Sequence, residues 1–248
     1  MDVPVAGPPL FLVAPGDLPA DVVTLSGPEG HHAAAVRRLR PAERADITDG
    51  AGTLAECVVI SVSKDSVVLE VRSVHAVPRP EPRITVVQAL PKGERAELAV
   101  ELMTEVGVDS VIAWAAERSI TRWQGDRGER SLARWRATAR EAAKQSRRAW
   151  IPQVTGPAAL SDLKKLATAA VTAIVLEADA TAALSGVPLP DSGEIVLIVG
   201  PEGGISPGER AALAEAGAIE ARLGPTVLRT STAGAAAAAV LLSRTGRW

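Results

Sequence analysis

The fold of this chain is decided by the stretch Glu194–Ala235, which reads EIVLIVGPEGGISPGERAALAEAGAIEARLGPTVLRTSTAGA. Its first apolar run, Ile195–Val199, is short, β-branched and bounded by turn-forming residues, so it predicts a buried strand. The next five residues, Gly200–Gly204, include three glycines, which allow positive φ angles and a close approach of the backbone to a ligand.

A second turn of the same kind follows. Ser206 at the N-cap and Pro207 directly after it predict the start of a helix, which should end near Gly217. A short apolar segment, Ala221–Leu223, then leads into a loop at 224–230, and an alanine-rich helix begins near Thr232. Two strand-to-loop-to-helix turns therefore lie close in sequence, and both could line one crevice at the strand ends of an α/β sheet.

Either turn alone could be an ordinary loop, but the pair is more specific. GPEGGISPGE (200–209) followed by LGPTVLRTSTA (223–233) resembles the cofactor-binding end of the SPOUT methyltransferases, in particular the RsmE-type 16S rRNA (uracil-N3) methyltransferases. The resemblance continues in HHAAAVRRLRPAERADITDG (31–50), ALPKGERAELAVELMTEVGVDSVIAW (89–114) and EAAKQSRRAWIPQV (141–154), so it covers nearly the whole chain.

The resemblance implies both a fold and an activity. The fold is α/β: a C-terminal SPOUT domain with a parallel sheet and a deep trefoil knot, preceded by a small PUA-like RNA-binding β-barrel. The activity is transfer of a methyl group from S-adenosylmethionine to N3 of one uridine in 16S rRNA, uridine 1498 in the family. The expected partners are 16S rRNA or the small ribosomal subunit, and a second copy of the chain. For the dimer we expect the last helix, with Leu241, Leu242 and Trp248, to form the interface.

The composition of the chain limits the classes of protein to which it can belong. The 248 residues are 47% hydrophobic and 23% charged, as in a soluble globular protein. The single cysteine, Cys57, excludes an internal disulfide framework and is expected to be a buried strand residue. We see neither a signal peptide nor a run long enough to cross a bilayer, so we expect a cytoplasmic protein.

Charge is distributed unevenly along the chain. The net charge is −2, but residues 118–150 hold 10 Lys and Arg against 3 Asp and Glu, whereas residues 1–75 hold 6 against 10. An anionic partner should therefore meet residues 118–150.

The pattern divides the chain at a proline-rich connector. Residues 1–75 predict a small barrel from short strands at Phe11–Val13, Val22–Leu25, Arg44–Asp49, Leu54–Val62 and Val67–Arg72, with one helix at Gly30–Leu39. Residues 76–83 hold three prolines and predict an extended linker. Residues 84–248 form the second domain.

In the second domain, strands alternate with helices, which predicts a parallel sheet covered on both faces. The strands are expected at Ile84–Leu90, Ser110–Ala115 and Ala169–Leu176, in addition to those of the opening stretch. The helices are expected at Lys92–Val106 and Ser131–Ala149. Leu98, Leu102 and Val106 should form the apolar face of the first helix.

Several other kinds of site are not supported. The sequence has no dinucleotide GxGxxG turn after a strand, no P-loop, no serine-hydrolase GxSxG and no zinc-ligand spacing. His31 and His32 are adjacent and would point to different sides of a helix, so we expect no metal site there.

The two loops, with the end of the preceding strand, are therefore the expected cofactor site. Leu176, Ile198, Leu223, Val227 and Leu228 could form an apolar slot for adenine, while loop backbone groups bond the rest of the molecule. The full set that the resemblance implies is Leu176, Glu177, Ile198, Val199, Gly200, Pro201, Glu202, Gly203, Gly204, Leu223, Gly224, Val227, Leu228, Arg229, Thr230, Thr232 and Ala233.

Two of these residues are candidates for catalysis. Uracil N3 must lose its proton before it can attack, and Glu202 is the nearest carboxylate that could accept it. Arg229 could stabilise negative charge on the uracil carbonyl oxygens. A structural role for Glu202, as a helix cap or as an ion-pair partner of Arg229, is an equally open alternative.

The RNA-binding prediction rests on basic side chains. Arg136, Arg140, Lys144 and Arg148 recur every four residues and should form one stripe on a helix, although a solvated helix face is the usual meaning of such a stripe. Trp123, Trp135 and Trp150 nearby could stack on bases or pack in the core. The predicted set is His31, Arg37, Arg38, Arg40, Lys92, Arg136, Arg140, Lys144, Arg147 and Arg148.

The sequence also departs from the family pattern. Ile205 stands where the family usually has Phe, which suggests that the pocket edge lacks an aromatic residue. Thr226 and Ser231 replace an Arg and a Glu, so residue 231 cannot have an acidic role. Two alternatives remain open: a SPOUT enzyme acting on another base or on a ribose, and a non-catalytic RNA-binding or ribosome-assembly protein.

Overall fold

The computed structural model describes residues 7–14, 16, 18, 21–93 and 95–248. These residues divide into two compact units. The first consists of the chain up to Arg79 together with Ala143–Ile151, and the second consists of Pro80–Ala142 and Pro152–Trp248. The sequence prediction placed residues 143–151 in the second domain, 84–248, whereas the structure places them in the first unit. The contacts that hold this segment, such as the hydrogen bond from Trp150 Nε1 to the Val77 carbonyl at 3.0 Å, join residues far apart in sequence.

The first unit contains a five-stranded sheet in the order β1-β3-β4-β5-β2. Its strands are β1 (Leu10–Leu12), β2 (Val22–Leu25), β3 (Arg44–Thr48), β4 (Thr53–Val62) and β5 (Val67–Ala76). All five were predicted, although β5 is longer than expected. Cys57 lies in the core as expected, and burial raises the pKa of its thiol to about 12.

The helix of the first unit differs from the prediction. It begins at Gly27 as α1 (Gly27–His31) and continues as a π-helical turn at His32–Val36, rather than spanning Gly30–Leu39. Ser26 is the N-cap and Pro28 lies in the first turn, which is a favourable position for proline.

The second unit contains a six-stranded sheet in the order β11-β9-β10-β6-β7-β8, and every neighbouring pair is parallel. The predicted parallel sheet is confirmed. The strands are β6 (Arg83–Ala89), β7 (Ser110–Trp114), β8 (Gln153–Ala158), β9 (Thr172–Leu176), β10 (Glu194–Val199) and β11 (Ile219–Ala221). The helices are α2 (Arg95–Val106), α3 (Gly125–Gln145), α4 (Leu160–Ala169), α5 (Pro207–Glu215) and α6 (Thr230–Arg244).

Both faces of this sheet are covered. Ile195, Leu197 and Val199 of β10 pack in the cluster that includes residues of α2 and α6. Val196 and Ile198 point to the opposite face, into the cluster with residues of α4 and α5. A strand buried on both faces explains why the run 195–199 is apolar without alternation.

Three predictions about helices in this unit were wrong. Leu98 is 41% exposed and was wrongly placed on the apolar face of α2, whereas Leu102 and Val106 do pack against the core. Ala99, Val100 and Met103 of α2 are buried in the same cluster as residues of α6. Leu241 and Leu242 are buried in that cluster within the chain, so they cannot form a dimer interface. Helix α3 begins six residues earlier and ends four residues earlier than Ser131–Ala149.

Candidate functional site

A pocket of about 600 Å³ lies at the carboxyl ends of β9, β10 and β11. Leu176 and Val199, the last residues of β9 and β10, lie in its wall, together with the loops after β10 and β11. Its volume is within the usual range for small-molecule sites, roughly 300–1,000 Å³. The two turns singled out in the sequence therefore do share one cavity.

Most of the residues expected at a cofactor site line this pocket. Three do not: Ile198 is buried in the core on the α4 and α5 side, Gly203 packs against Arg118, and the Thr232 hydroxyl donates to the Arg229 carbonyl at 3.1 Å. The lining also includes residues that were not in the predicted cofactor set: Lys92, Arg95, Ala178, Thr226 and Ser231.

The loop after β10 is shaped by its glycines. Gly204 has a φ of +73° and its nitrogen donates to the Pro201 carbonyl at 2.9 Å. A Cβ added at Gly200 would lie 2.7 Å from Cγ1 of Ile205. Ile205 is 4% exposed and packs in the core, so residue 205 does not form the edge of the pocket. The expectation that a missing aromatic residue there alters the pocket edge is therefore wrong.

The start of α5 follows the sequence prediction. Ser206 and Glu209 form a reciprocal capping box, and Pro207 is the first helical residue. The buried Glu209 carboxylate also accepts a hydrogen bond from the backbone nitrogen of Glu117 at 2.8 Å. This bond attaches the loop after β7 to the helix that follows the glycine-rich turn.

Glu202 and Arg229 are both exposed in the pocket lining. Oε1 of Glu202 accepts a hydrogen bond from the backbone nitrogen of Lys92 at 3.1 Å. Arg229 is the N-cap residue of α6, and its carbonyl accepts hydrogen bonds from the Thr232 and Ala233 nitrogens. The described residues include no ion pair between Glu202 and Arg229, so the guanidinium of Arg229 is not neutralised by that carboxylate.

Arg210 interacts with two acidic side chains, Glu220 and Glu177, and Glu177 lines the pocket. Arg210 donates from Nε and Nη2 to the two carboxylate oxygens of Glu220, at 2.7 and 2.6 Å, and its Nη1 lies 3.8 Å from Oε2 of Glu177. The hydrogen bond from Arg210 lowers the pKa of Glu220. Burial raises the pKa of Glu177, a pocket residue, although the charge of Arg210 opposes this shift.

The chain after β9 is also attached to the chain after β11. The Arg222 nitrogen donates to the Ala182 carbonyl, and the Leu184 nitrogen donates to the Arg222 carbonyl, both at 2.9 Å. The Arg222 side chain donates to the Ala180 carbonyl at 2.7 Å. These bonds fix the segment 180–184 beside the pocket loops.

The predicted RNA-binding residues have different environments. His31, Arg37, Arg38 and Arg40 of the first unit are exposed, and His31 Nδ1 lies 2.8 Å from Oδ1 of Asp65. Arg140 and Arg147 are also exposed, Arg148 is partly buried, and Lys92 lines the pocket. The Arg136 side chain is exposed but donates from Nε to the Val154 carbonyl at 3.0 Å.

Two of the candidate RNA-contacting side chains are buried. The burial of Lys144 contradicts the predicted stripe, whereas packing in the core was one of the two roles expected for Trp135. The Lys144 side chain is 3% exposed, and its Nζ lies 2.8 Å from Oε1 of Glu29, so Lys144 is not part of an exposed stripe. Trp135 is fully buried and packs edge-to-face on Trp123 at 4.9 Å, so its ring is not available for stacking on a base.

A different basic face of α3 is exposed. Arg127, Arg130 and Arg134 follow a three- and four-residue spacing and line a common depression. Because the helix was predicted to begin at Ser131, Arg127 and Arg130 were not placed on it. The sequence does contain a signal for the earlier start of this helix: Asp126, next to Gly125, is an acidic residue of the kind favoured in the first turn of a helix.

In the described part of the chain, no three histidine, cysteine or acidic residues come together in a way that could hold a metal ion. None of the described helices is both long and apolar enough to cross a bilayer.

The chain is similar to known methyltransferases. Residues 78–242 match the model of the RNA methyltransferase domain, and residues 25–72 match that of the RNA methyltransferase PUA domain. Ribosomal RNA small subunit methyltransferase E of Mycobacterium tuberculosis (strain CDC 1551 / Oshkosh) is 47% identical over 92% of this chain and 88% of its own length. The protein of the same name from Bacillus subtilis (strain 168) is 28% identical over 86% of this chain and 87% of its own length.

A solved structure supports the same relationship. The crystal structure of ribosomal RNA small subunit methyltransferase E from Neisseria gonorrhoeae, bound to S-adenosyl methionine, matches with a TM-score of 0.83 and 28% identity. The match covers 96% of this chain and 98% of that chain. The family model spans more than half of the chain, and the mycobacterial relative is well above 30% identical over most of it. This chain therefore belongs to the RNA methyltransferase family that includes ribosomal RNA small subunit methyltransferase E.

Proposed function

We propose that this chain transfers a methyl group from S-adenosylmethionine to N3 of a uridine in 16S rRNA, the counterpart of uridine 1498 in the family. The observation that carries the proposal is the pocket at the ends of β9, β10 and β11, which is lined by Glu202 of the glycine-rich turn and by Arg229. The relatives named ribosomal RNA small subunit methyltransferase E, one of them bound to S-adenosyl methionine, support methylation of small-subunit ribosomal RNA with this donor.

The pocket fits the proposed methyl donor. Leu176, Val199 and Leu223 provide apolar wall, and backbone groups of the two loops provide hydrogen-bond donors and acceptors. The lining holds both signs of charge, with carboxylates at Glu177 and Glu202 and cations at Lys92, Arg95 and Arg229, so charge alone does not select the ligand. When bound, S-adenosylmethionine supplies an electrophilic methyl group on a positively charged sulfur.

The chain must also prepare the uracil. N3 is a weak nucleophile until its proton is removed, and the exposed carboxylate of Glu202 can accept that proton. Its hydrogen bond to the Lys92 nitrogen keeps it in the lining of the pocket. Arg229, which is not paired with Glu202, can stabilise the charge that develops on the uracil oxygens.

The proposal also includes the RNA-binding and assembly properties that the resemblance implies. We assign RNA binding to the exposed cations of both units, with the first unit as a PUA-like barrel. The resemblance also implies a knotted arrangement of the pocket loops, and we include it in the proposal. A homodimer would bury apolar side chains that are now exposed, such as Leu98 and Trp248.

The test is methyl transfer to purified RNA that lacks the modification. Small ribosomal subunits and protein-free 16S rRNA are incubated separately with the enzyme and S-adenosylmethionine, and the nucleosides are analysed by mass spectrometry. We expect 3-methyluridine, and we expect Arg229→Ala to lower kcat by about 10²-fold or more. The exposed Lys165→Glu variant is the control. A methylated ribose or another methylated base would indicate a different RNA methyltransferase. Absence of S-adenosylmethionine binding in calorimetry would indicate a non-catalytic RNA-binding protein.

A further inference from the structure

A second pocket of about 590 Å³ lies in the same unit as the first. It is formed by the segment at the start of α2, the loop after β7 and the first turns of α3. Its lining combines the aromatic ring of Trp123 with the basic side chains of Arg122, Arg127 and Arg134. An aromatic face surrounded by guanidinium groups is the combination that proteins use for single-stranded nucleic acid.

The two pockets share a wall. Lys92 and Arg95 line the first pocket, whereas Pro91, Gly93 and Ala96 line the second. A polynucleotide whose reacting base enters the first pocket continues on both sides of that base. A neighbouring nucleotide must therefore lie close to the first pocket. Lys92, which lines the first pocket, stands between Pro91 and Gly93, which line the second.

Hydrogen bonds fix this shared wall. The Thr121 hydroxyl donates to the Pro91 carbonyl at 3.0 Å, which attaches the loop of the second pocket to the segment before α2. Arg118 Nη1 donates to the Gly203 carbonyl at 3.3 Å, which attaches the same loop to the glycine-rich turn of the first pocket. The relative positions of the two pockets are thus set by direct contacts.

The basic side chains around the second pocket fall into two groups. Arg122 donates to the Ala116 and Glu117 carbonyls at 2.9 and 2.8 Å, and Arg134 lies 3.4 Å from Glu97, so both are already engaged within the chain. The side chains of Arg127 and Arg130 are exposed and make no hydrogen bond or ion pair with the described residues. These two are available for phosphate groups.

We propose that the second pocket binds the base of a nucleotide adjacent to the target uridine, stacked on Trp123, with a nearby phosphate held by Arg127 and Arg130. This inference rests on the proposed function and adds a second RNA subsite to it. Trp123 is held edge-to-face against the buried Trp135, so its ring is fixed before RNA binds and loses little freedom on binding.

The phosphate contacts are tested by fluorescence anisotropy. The probe is a short, fluorescently labelled single-stranded RNA that contains the target uridine and its neighbours. We expect Arg127→Glu/Arg130→Glu to weaken RNA binding by roughly tenfold or more and to reduce the slope of log K against log salt by about 0.7, the value for one lost phosphate contact. The control is Lys164→Glu/Lys165→Glu on α4, which makes the same change in net charge. RNA affinity equal to that of the control would overturn the proposal.

The base contact is tested with Trp123→Leu, which removes the aromatic face and keeps an apolar side chain. We expect a loss of RNA affinity of roughly tenfold. The loss should disappear when the RNA carries an abasic site at one of the two neighbours of the target uridine. A loss that persists with both abasic RNAs would show that Trp123 acts only through the structure and would overturn the base-binding assignment, as would no loss with the intact RNA.

These binding experiments are independent of methyl transfer. Wild-type protein that binds RNA through this surface but produces no 3-methyluridine would refute the proposed function and leave the subsite standing. Wild-type protein that produces 3-methyluridine, with RNA binding unaffected by either variant, would refute the subsite alone.

Discussion

Oε1 of Glu202 accepts a hydrogen bond from the backbone nitrogen of Lys92 at 3.1 Å, so the proposed base of the reaction is attached to the segment that follows β6. Glu202 therefore has two separable properties: one oxygen holds a loop in position, and the carboxylate can take up a proton. A substitution that keeps the first property and removes the second can distinguish them.

Glu202→Gln is that substitution. The amide oxygen can still accept from the Lys92 nitrogen, but the side chain can no longer accept the N3 proton. We expect kcat to fall by about 10²-fold or more, with the affinity for S-adenosylmethionine unchanged within about twofold. Single-turnover methyl transfer and calorimetry provide the two measurements.

The companion variant Glu202→Ala removes both properties. If Glu202→Gln is as active as the wild type and only Glu202→Ala is impaired, Glu202 acts by holding the loop at Lys92, and the proton is removed by another group or by water.

Gly200→Ala tests how tightly the glycine-rich turn is packed. The new Cβ would lie 2.7 Å from Cγ1 and 3.3 Å from Cδ1 of Ile205, which is itself buried. Such overpacking typically costs about 1–3 kcal/mol, and relief by movement of the turn would distort the pocket. We expect the affinity for S-adenosylmethionine to fall by roughly tenfold, as measured by calorimetry.

Two further variants check this explanation. Gly200→Ala/Ile205→Ala removes the colliding atoms and should recover most of the affinity, although it loses stability through the cavity. Gly208→Ala, where an added Cβ meets nothing within 4 Å, should behave as the wild type. Equal loss in the single and double variants would show that contact with Ile205 is not the cause.

The elements around the pocket were the most predictable part of the chain. The run 195–199 and the Ser206–Glu209 box are local signals, and the structure follows both. The sequence could not show which residues of β10 face which side of the sheet. The strand is buried on both sides, so its apolar run has no alternation with polar residues. Ile198 was therefore placed in the pocket, whereas it packs beneath α4 and α5.

The misplaced features depend on contacts between distant residues. Lys144 is buried because Glu29, 115 positions away in the sequence, provides its counter-charge. Strand β8 was missed because Gly156-Pro157 resembles a turn, although proline is tolerated in an edge strand. On α2, alanine and methionine rather than Leu98 face α6, because the small Gly234 allows a close approach: its Cβ position is only 3.0 Å from the Met103 sulfur.

Arg247 and Asp109 provide a test of stability. Arg247 Nη1 and Nη2 donate to the two Asp109 oxygens at 2.6 and 3.2 Å, and the side chains are 11% and 5% exposed. Among the described residues, Arg247→Ala would leave the buried Asp109 carboxylate with the Ile84 nitrogen, at 2.8 Å, as its hydrogen-bond donor, so we expect a loss of about 3–5 kcal/mol in the free energy of unfolding. Urea denaturation followed by circular dichroism measures it.

A double-mutant cycle with Asp109→Asn isolates the pair. Removing the charge on Asp109 should recover part of the stability lost in Arg247→Ala, so the two effects should not be additive. Additive losses, or a loss below about 1 kcal/mol in Arg247→Ala, would show that the pair contributes little.

The pair of Arg210 and Glu220 predicts a dependence of stability on pH. The hydrogen bond from Arg210 holds the pKa of Glu220 below its ordinary value of 4.5 in the folded state, so the unfolded chain takes up the proton first as the pH falls. The stabilisation by this carboxylate is therefore fully present above pH 4.5 and is lost as the pH falls through the lowered pKa. Glu220→Gln should reduce the free energy of unfolding near neutral pH, and its difference from the wild type should shrink in acid.

Glu177 predicts a dependence of stability on pH that is opposite to that of Glu220. Burial raises its pKa in the folded state, so its contribution favours folding below the ordinary value of 4.5 and is lost as the pH rises through the raised pKa. Relative to the wild type, the free energy of unfolding of Glu177→Gln should therefore be higher near neutral pH than in acid. That of Glu220→Gln should be lower near neutral pH than in acid. Urea midpoints measured for the three proteins across this range check both signs. Parallel curves for the two variants would mean that the charge of Arg210 and the burial of Glu177 do not control these titrations.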